Sequence, residues 1–153
     1  MSRSILITVS VLSCLVFQSC EPQGNTKQKH STFGDDESHK MGQDCMNCHN
    51  PTGEGEGSFT IAGTVYQGAL SDIVQPNALV KLYSETGSQG SIIAELEVDG
   101  LGNFYTTKEI DLSAHVFPQL SKSDNSQAMI TSTNKGNCNS CHGVTTDKIW
   151  LSN

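Results

Sequence analysis

The sequence predicts a mainly β fold: a small antiparallel β-sandwich with loops and short helical turns at its two edges. Three observations carry this. Between residues 58 and 134 the chain holds short runs rich in Val, Ile, Thr, Phe and Tyr, punctuated by Gly, Asn and Asp. No segment repeats its apolar residues at a helical period. The hydrophobic fraction is 35% with 6% aromatics, enough for one modest core but not for several.

The elements follow in chain order. Arg3 gives the N-terminus a positive charge, and residues 5–17 form an apolar run broken by Thr8, Ser10 and Ser13. That run is shorter than the ~18 apolar residues a membrane span needs, so it reads as a signal peptide over 1–19. Phe17-Gln18-Ser19-Cys20 resembles a bacterial lipoprotein processing box, with Phe17 where Leu is usual. The resemblance implies an exported protein whose first mature residue, Cys20, carries a lipid. The anchor would sit in a bacterial membrane, the outer membrane being one candidate, on its periplasmic side or at the cell surface. A plain secretory signal cut near the same point is the alternative. Residues 20–44 have no hydrophobic periodicity and are predicted to be a solvated tether to a single domain over 45–153.

Within that domain the alternation in Phe59-Thr60-Ile61-Ala62-Gly63-Thr64-Val65-Tyr66 predicts a first strand. Residues 78–83 are a second, with Val80 and Leu82 on one face. Residues 91–98 are a third, with Ile92, Ala94, Leu96 and Val98 opposite Ile93, Glu95 and Glu97. Asp99-Gly100-Leu101-Gly102-Asn103 is a turn, because Gly and Asn tolerate positive φ. Residues 104–107 follow as a fourth strand, 128–133 as a fifth and 148–151 as a short last one. Short helical turns are expected around 45–49, around 138–142 and around 112–116. The strings Ile61-Ala62-Gly63-Thr64-Val65-Tyr66, Asn77-Ala78-Leu79-Val80-Lys81-Leu82 and Asp99-Gly100-Leu101-Gly102-Asn103-Phe104 resemble, in this order, the carboxypeptidase regulatory-like, transthyretin-type β-sandwich. That resemblance implies a fold and not an activity.

Six cysteines fall into two kinds. Cys14 and Cys20 belong to the leader region. The other four form Cys45-Met46-Asn47-Cys48-His49 and Cys138-Asn139-Ser140-Cys141-His142, two C-x-x-C-H strings 93 positions apart. Both resemble the attachment signature of c-type cytochromes. The resemblance implies two haem c groups, each with one iron. Cys45 and Cys48, and Cys138 and Cys141, would be bonded to the haem vinyl groups, with His49 and His142 as proximal iron ligands. Attachment outside the cytoplasm agrees with the leader. Two other chemistries use paired cysteines. A four-thiolate zinc site does not call for a His after each pair. A disulfide or thiol redox pair of the thioredoxin kind wants a βαβ context, which the sequence lacks.

The far-side ligand decides what a haem iron does. The candidates are His39 and Met41 for the first haem, and Met129 and His115 for the second. Met46 sits inside its own motif and His30 within the tether. Domain ends tend to lie close together, so the two motifs are expected to be neighbours.

A formal net charge of -7, more negative once Arg3 leaves with the leader, argues against nucleic acid as a partner. An acidic surface suits redox protein partners that offer basic patches, other multihaem cytochromes among them. The leading expectation is an electron-transfer lipoprotein in a respiratory or extracellular chain. A peroxidase-like haem enzyme is the second, although Arg3 is the sole arginine and lies in the leader. A surface binding or assembly module that carries haems is the third.

Overall fold

The structure, a computed structural model, describes residues 28–152. The leader, Cys14 and the expected lipidation point Cys20 lie outside the described residues. Seven strands are present: β1 (Ile61–Tyr66), β2 (Leu79–Glu85), β3 (Gln89–Glu97), β4 (Asn103–Thr106), β5 (Phe117–Lys122), β6 (Asn125–Ala128) and β7 (Ile149–Trp150). They form a three-stranded sheet in the order β4-β1-β7 and a four-stranded sheet in the order β3-β2-β5-β6. The fold is mainly β, as the composition and strand pattern predicted. One pair departs from the antiparallel rule: β7 runs parallel to β1, with Val65 opposite Ile149 and Tyr66 opposite Trp150. Among the described residues no helix is long and apolar enough to cross a membrane.

The core lies between the sheets. Ile61, Val65 and Phe104 enter it from the first sheet, and Val80, Leu82, Leu96 and Leu120 from the second. Strand β2 shows the period-2 pattern behind its prediction: Val80 and Leu82 are buried while Leu79, Lys81 and Tyr83 are half-exposed. Its outward Lys81 pairs with Glu95 directly across the register at 3.0 Å. The 99–103 turn forms as the sequence requires. Asp99 Oδ1 accepts from the backbone N–H groups of Leu101 and Asn103, each at 2.9 Å. Gly102 takes φ +80°, and a Cβ there would meet the Val74 side chain at 2.5 Å.

Three expectations change. The fifth strand, predicted over 128–133, is instead the hairpin β5–β6, and Ile130 is 87% exposed. Pro118, which has no N–H to donate, sits near the start of β5, where its carbonyl accepts from Met129 N at 2.8 Å. The chain at 112–116 makes a tight turn, closed by His115 N donating to Leu112 O at 3.0 Å, rather than a helix. The chain ahead of residue 45, predicted to be a solvated tether, lies along β4 from Lys29 onward. Ser31 N donates to Tyr105 O at 3.0 Å and Thr107 N to Lys29 O at 2.8 Å, and Ser31 is buried. Backbone pairing of this kind needs no apolar periodicity, so the sequence carries no sign of it.

Candidate functional site

Both C-x-x-C-H strings fold into the same local shape. Cys45–Asn47 and Cys138–Ser140 are single 3-10 turns. In the first, Cys48 N and His49 N both donate to Cys45 O, at 3.2 and 2.9 Å. In the second, Cys141 N and His142 N both donate to Cys138 O, at 3.2 and 3.0 Å. A 3-10 turn stacks residues i and i+3 on one side, which puts the two thiols of each string on a common face with the His one step beyond. Asp44 caps the first turn, its Oδ1 accepting from Met46 N at 3.1 Å. In the second turn Ser140 Oγ donates to Asn137 O at 2.7 Å.

The histidines are oriented alike. His142 Nδ1 lies 2.8 Å from Asp147 O, and His49 Nδ1 lies 3.2 Å from Glu56 O and 3.3 Å from Gly57 O. A carbonyl can only accept, so in the neutral ring the proton sits on Nδ1 and the Nε2 lone pair stays free. Metal-ligating histidines are held in this way. Phe59 stacks on the His49 ring at 4.2 Å and 9°, with Tyr105 behind it at 4.9 Å. Gly55 must be Gly, because a Cβ there would fall 2.7 Å from His49 Nδ1.

Strand β1 brings the strings together. One of its edges pairs with β4, and the other is taken by the approach to the second string and then by β7. Ala62 N donates to Gly136 O at 2.9 Å. Gly136 runs so close that a Cβ would collide with Thr60 O. The buried Thr64 hydroxyl is the junction. It donates to Asn103 Oδ1 at 2.7 Å and accepts from Gly42 N at 2.9 Å and Asn139 Nδ2 at 3.0 Å. Asn139 also donates to Gln43 O at 2.9 Å, and Asn137 Nδ2 to Asp44 Oδ2 at 3.3 Å. The second string and its approach are thus hydrogen-bonded to the residues directly ahead of the first, which sets two strings 93 positions apart side by side, as the closeness of domain ends predicted. Sequence reading missed Thr64 and Asn139. Asn139 occupies a free position of its motif and carried no signal, whereas Asp44, placed directly before an expected turn, had the form of a cap.

Next to the second string opens an apolar cleft of about 190 Å³, partly continuous with solvent. Cys138, Cys141 and His142 line it together with Phe104, Leu120, Met129 and Trp150. Small-molecule and cofactor sites are concave and mainly apolar in the same way. Cys138 packs against the core, and desolvation there pushes its thiol up to about 12, with Cys45, Asp44 and Cys141 adding to the shift. Burial pushes Cys45 up as well, with Asp44 contributing. Reactive and metal-binding cysteines are instead poised as thiolates. All four cysteines are free, and among the described residues no group of three or more His, Cys, Asp or Glu converges as zinc ligands do. The donor set, the carbonyl-held histidines and the apolar cleft fit a covalently attached haem.

Of the far-side candidates, His39 lies with its ring centre 6.0 Å from that of His49, at 41°. Met129 lines the cleft with His142. Met41 is 46% exposed. His115 is exposed at φ +62° beside Ser132 Oγ at 3.4 Å, and neither it nor Met41 lines the cleft. No protein-family model, curated protein or solved structure matches the chain, so what it does has to be read from the two strings and the geometry around them.

Proposed function

We propose that this chain is a dihaem c-type cytochrome that carries electrons between protein partners outside the cytoplasm, tethered to a bacterial membrane by a lipid on Cys20. One observation carries the reading. Both C-x-x-C-H strings adopt one 3-10 geometry, hold Nδ1 of their His on a backbone carbonyl, and lie clamped together on β1. Cys45 and Cys48 would hold one haem and Cys138 and Cys141 the other, through thioethers, with His49 and His142 on the irons. Bound haem supplies one-electron chemistry between Fe(III) and Fe(II). The protein supplies the rest. Carbonyls at Glu56, Gly57 and Asp147 fix the imidazoles and make Nε2 more basic. Phe104, Leu120 and Trp150 keep water from the second site. The Thr64–Asn139 junction keeps the two sites at a fixed separation. The sandwich itself would be a carboxypeptidase regulatory-like scaffold, and the acidic surface would meet basic patches on redox partners.

The test is cofactor stoichiometry. The full chain, produced with c-type maturation and export, is expected to hold two covalent haems per polypeptide. The Cys45→Ala/Cys48→Ala and Cys138→Ala/Cys141→Ala double variants should each hold one. A folded, exported protein without covalent haem overturns the proposal.

A further inference from the structure

We infer that the two irons are ligated differently, the first by His49 and His39 and the second by His142 and Met129, so that the second site has the higher potential. The inference rests on the dihaem reading and sharpens it.

At the first site a second imidazole already stands near His49. Two imidazoles on opposite sides of one iron stand roughly 6 Å apart centre to centre, from two metal–nitrogen bonds of about 2 Å and about 1 Å from each nitrogen to its ring centre. The His39 and His49 rings stand at 6.0 Å. The His39 main chain is not loose. Asn103 Nδ2 donates to Ser38 Oγ at 2.9 Å and reaches His39 O at 3.4 Å, and the same Asn103 accepts from the Thr64 hydroxyl. His39 therefore hangs from the junction that positions both strings. At the second site no imidazole besides His142 lines the cleft. Met129 does, directly after β6, with its N–H fixed on Pro118 O at 2.8 Å and the residue half-buried. A thioether, soft and uncharged, suits an apolar cleft where a second imidazole would have to lose its hydration.

Ligation by Met and His raises an iron's potential over ligation by two histidines. An electron given to the first site by a one-electron donor protein therefore passes on: the first iron returns from ferrous to ferric, the second goes from ferric to ferrous, and no proton moves. At equilibrium with one electron per molecule, the electron resides beside Met129.

Optical, magnetic circular dichroism and paramagnetic resonance spectra of the holo-protein test this, with dithionite as reductant. The wild type should show two low-spin haems per chain and the weak far-red sulfur-to-iron band at an intensity of one per two haems. The first electron per chain, supplied by half a mole of dithionite per mole of protein, should abolish that band. Met129→His should lose the band, keep both haems low-spin and bring the two midpoints together. His39→Met, at an exposed position, should double the band. His39→Ala should turn half of the haem high-spin and leave the band alone. Two haems without a far-red band, a band that survives Met129→His, or two low-spin haems in His39→Ala would overturn the assignment and leave the dihaem reading standing. A chain with no covalent haem would remove both.

Discussion

Cys138 is a thiol placed where charge is costly, and that has a consequence before any cofactor is attached. Its pKa is raised from 9.0 to about 12, chiefly by desolvation. A group raised in the folded state lends stability that is complete below the unfolded value and is lost as pH climbs through the folded one. Between pH 9 and about 12, then, the haem-free chain should lose stability that the Cys138→Ala variant does not lose over the same range. Unfolding midpoints of the two, taken at intervals across that range, measure the difference, and parallel curves would refute it. In the holo-protein a thioether replaces the S–H and the difference should vanish. Thr64 shows the opposite economy, a hydroxyl with every bonding capacity in use. Thr64→Val leaves Asn103 Oδ1 without its donor, removes one of the two bonds of Asn139 Nδ2 and frees Gly42 N, at about 1–3 kcal/mol for each group that water cannot reach. We expect a loss of several kcal/mol by denaturant unfolding, well beyond the ~1 kcal/mol typical of a single substitution. The motif cysteines and histidines were legible in the sequence because their spacing is their chemistry. Thr64 and Asn139 were not, because a residue that joins two strings so far apart in the chain leaves no local pattern.

At the scale of elements, what could be read tracks how much of a strand's stability comes from alternation. Strand β2 alternates strictly, and deleting a buried side chain from it should be felt. Leu82 has no solvent exposure and sits in the centre of the core. Leu82→Ala should cost about 2–5 kcal/mol, measurable as a lowered denaturant midpoint at an unchanged slope. A cost under ~1 kcal/mol would mean that the site collapses around the deletion. Strands β1, β3, β4 and β7 were legible from their β-branched and aromatic residues, although β1 is buried on both faces and Ile92 of β3, expected to point inward, is exposed. The hairpin β5–β6 was not. Its sequence, Phe117-Pro118-Gln119-Leu120-Ser121-Lys122 followed by Ser123-Asp124-Asn125, commits only Leu120 fully to the core. What holds it is pairing with β2 from Leu79–Ser121 to Tyr83–Phe117 and a two-residue turn with Ser123 at φ +51°. The strip from Lys29 to Asp35 is held in the same way, by backbone bonds to β4 and by Gly100 N donating to Asp35 O at 2.6 Å. Segments stabilised by a neighbour's edge rather than by their own apolar face are invisible to periodicity.

Over the whole molecule the two sites are neighbours but not equals, because only one of them is built into the core. Cys138 and Ile149 pack on the central cluster, and Phe104 and Leu120 belong to both the core and the cleft. The first string, by contrast, lies on the outer face of β1 and contributes no side chain to the cluster. Leaving the second site without its cofactor therefore uncovers apolar surface that continues into the core. Leaving the first site without its own exposes mainly the His49–Phe59–Tyr105 stack. Apolar surface returned to water costs roughly 25 cal/mol per Å², so the two losses should differ in size. The Cys138→Ala/Cys141→Ala variant is expected to melt at a clearly lower temperature than Cys45→Ala/Cys48→Ala and to bind a hydrophobic dye such as anilinonaphthalene sulfonate. The first-site variant should stay close to the parent in both respects. Equal losses of Tm in the two variants would mean that the cleft closes on itself, and that the second site is as peripheral to the fold as the first.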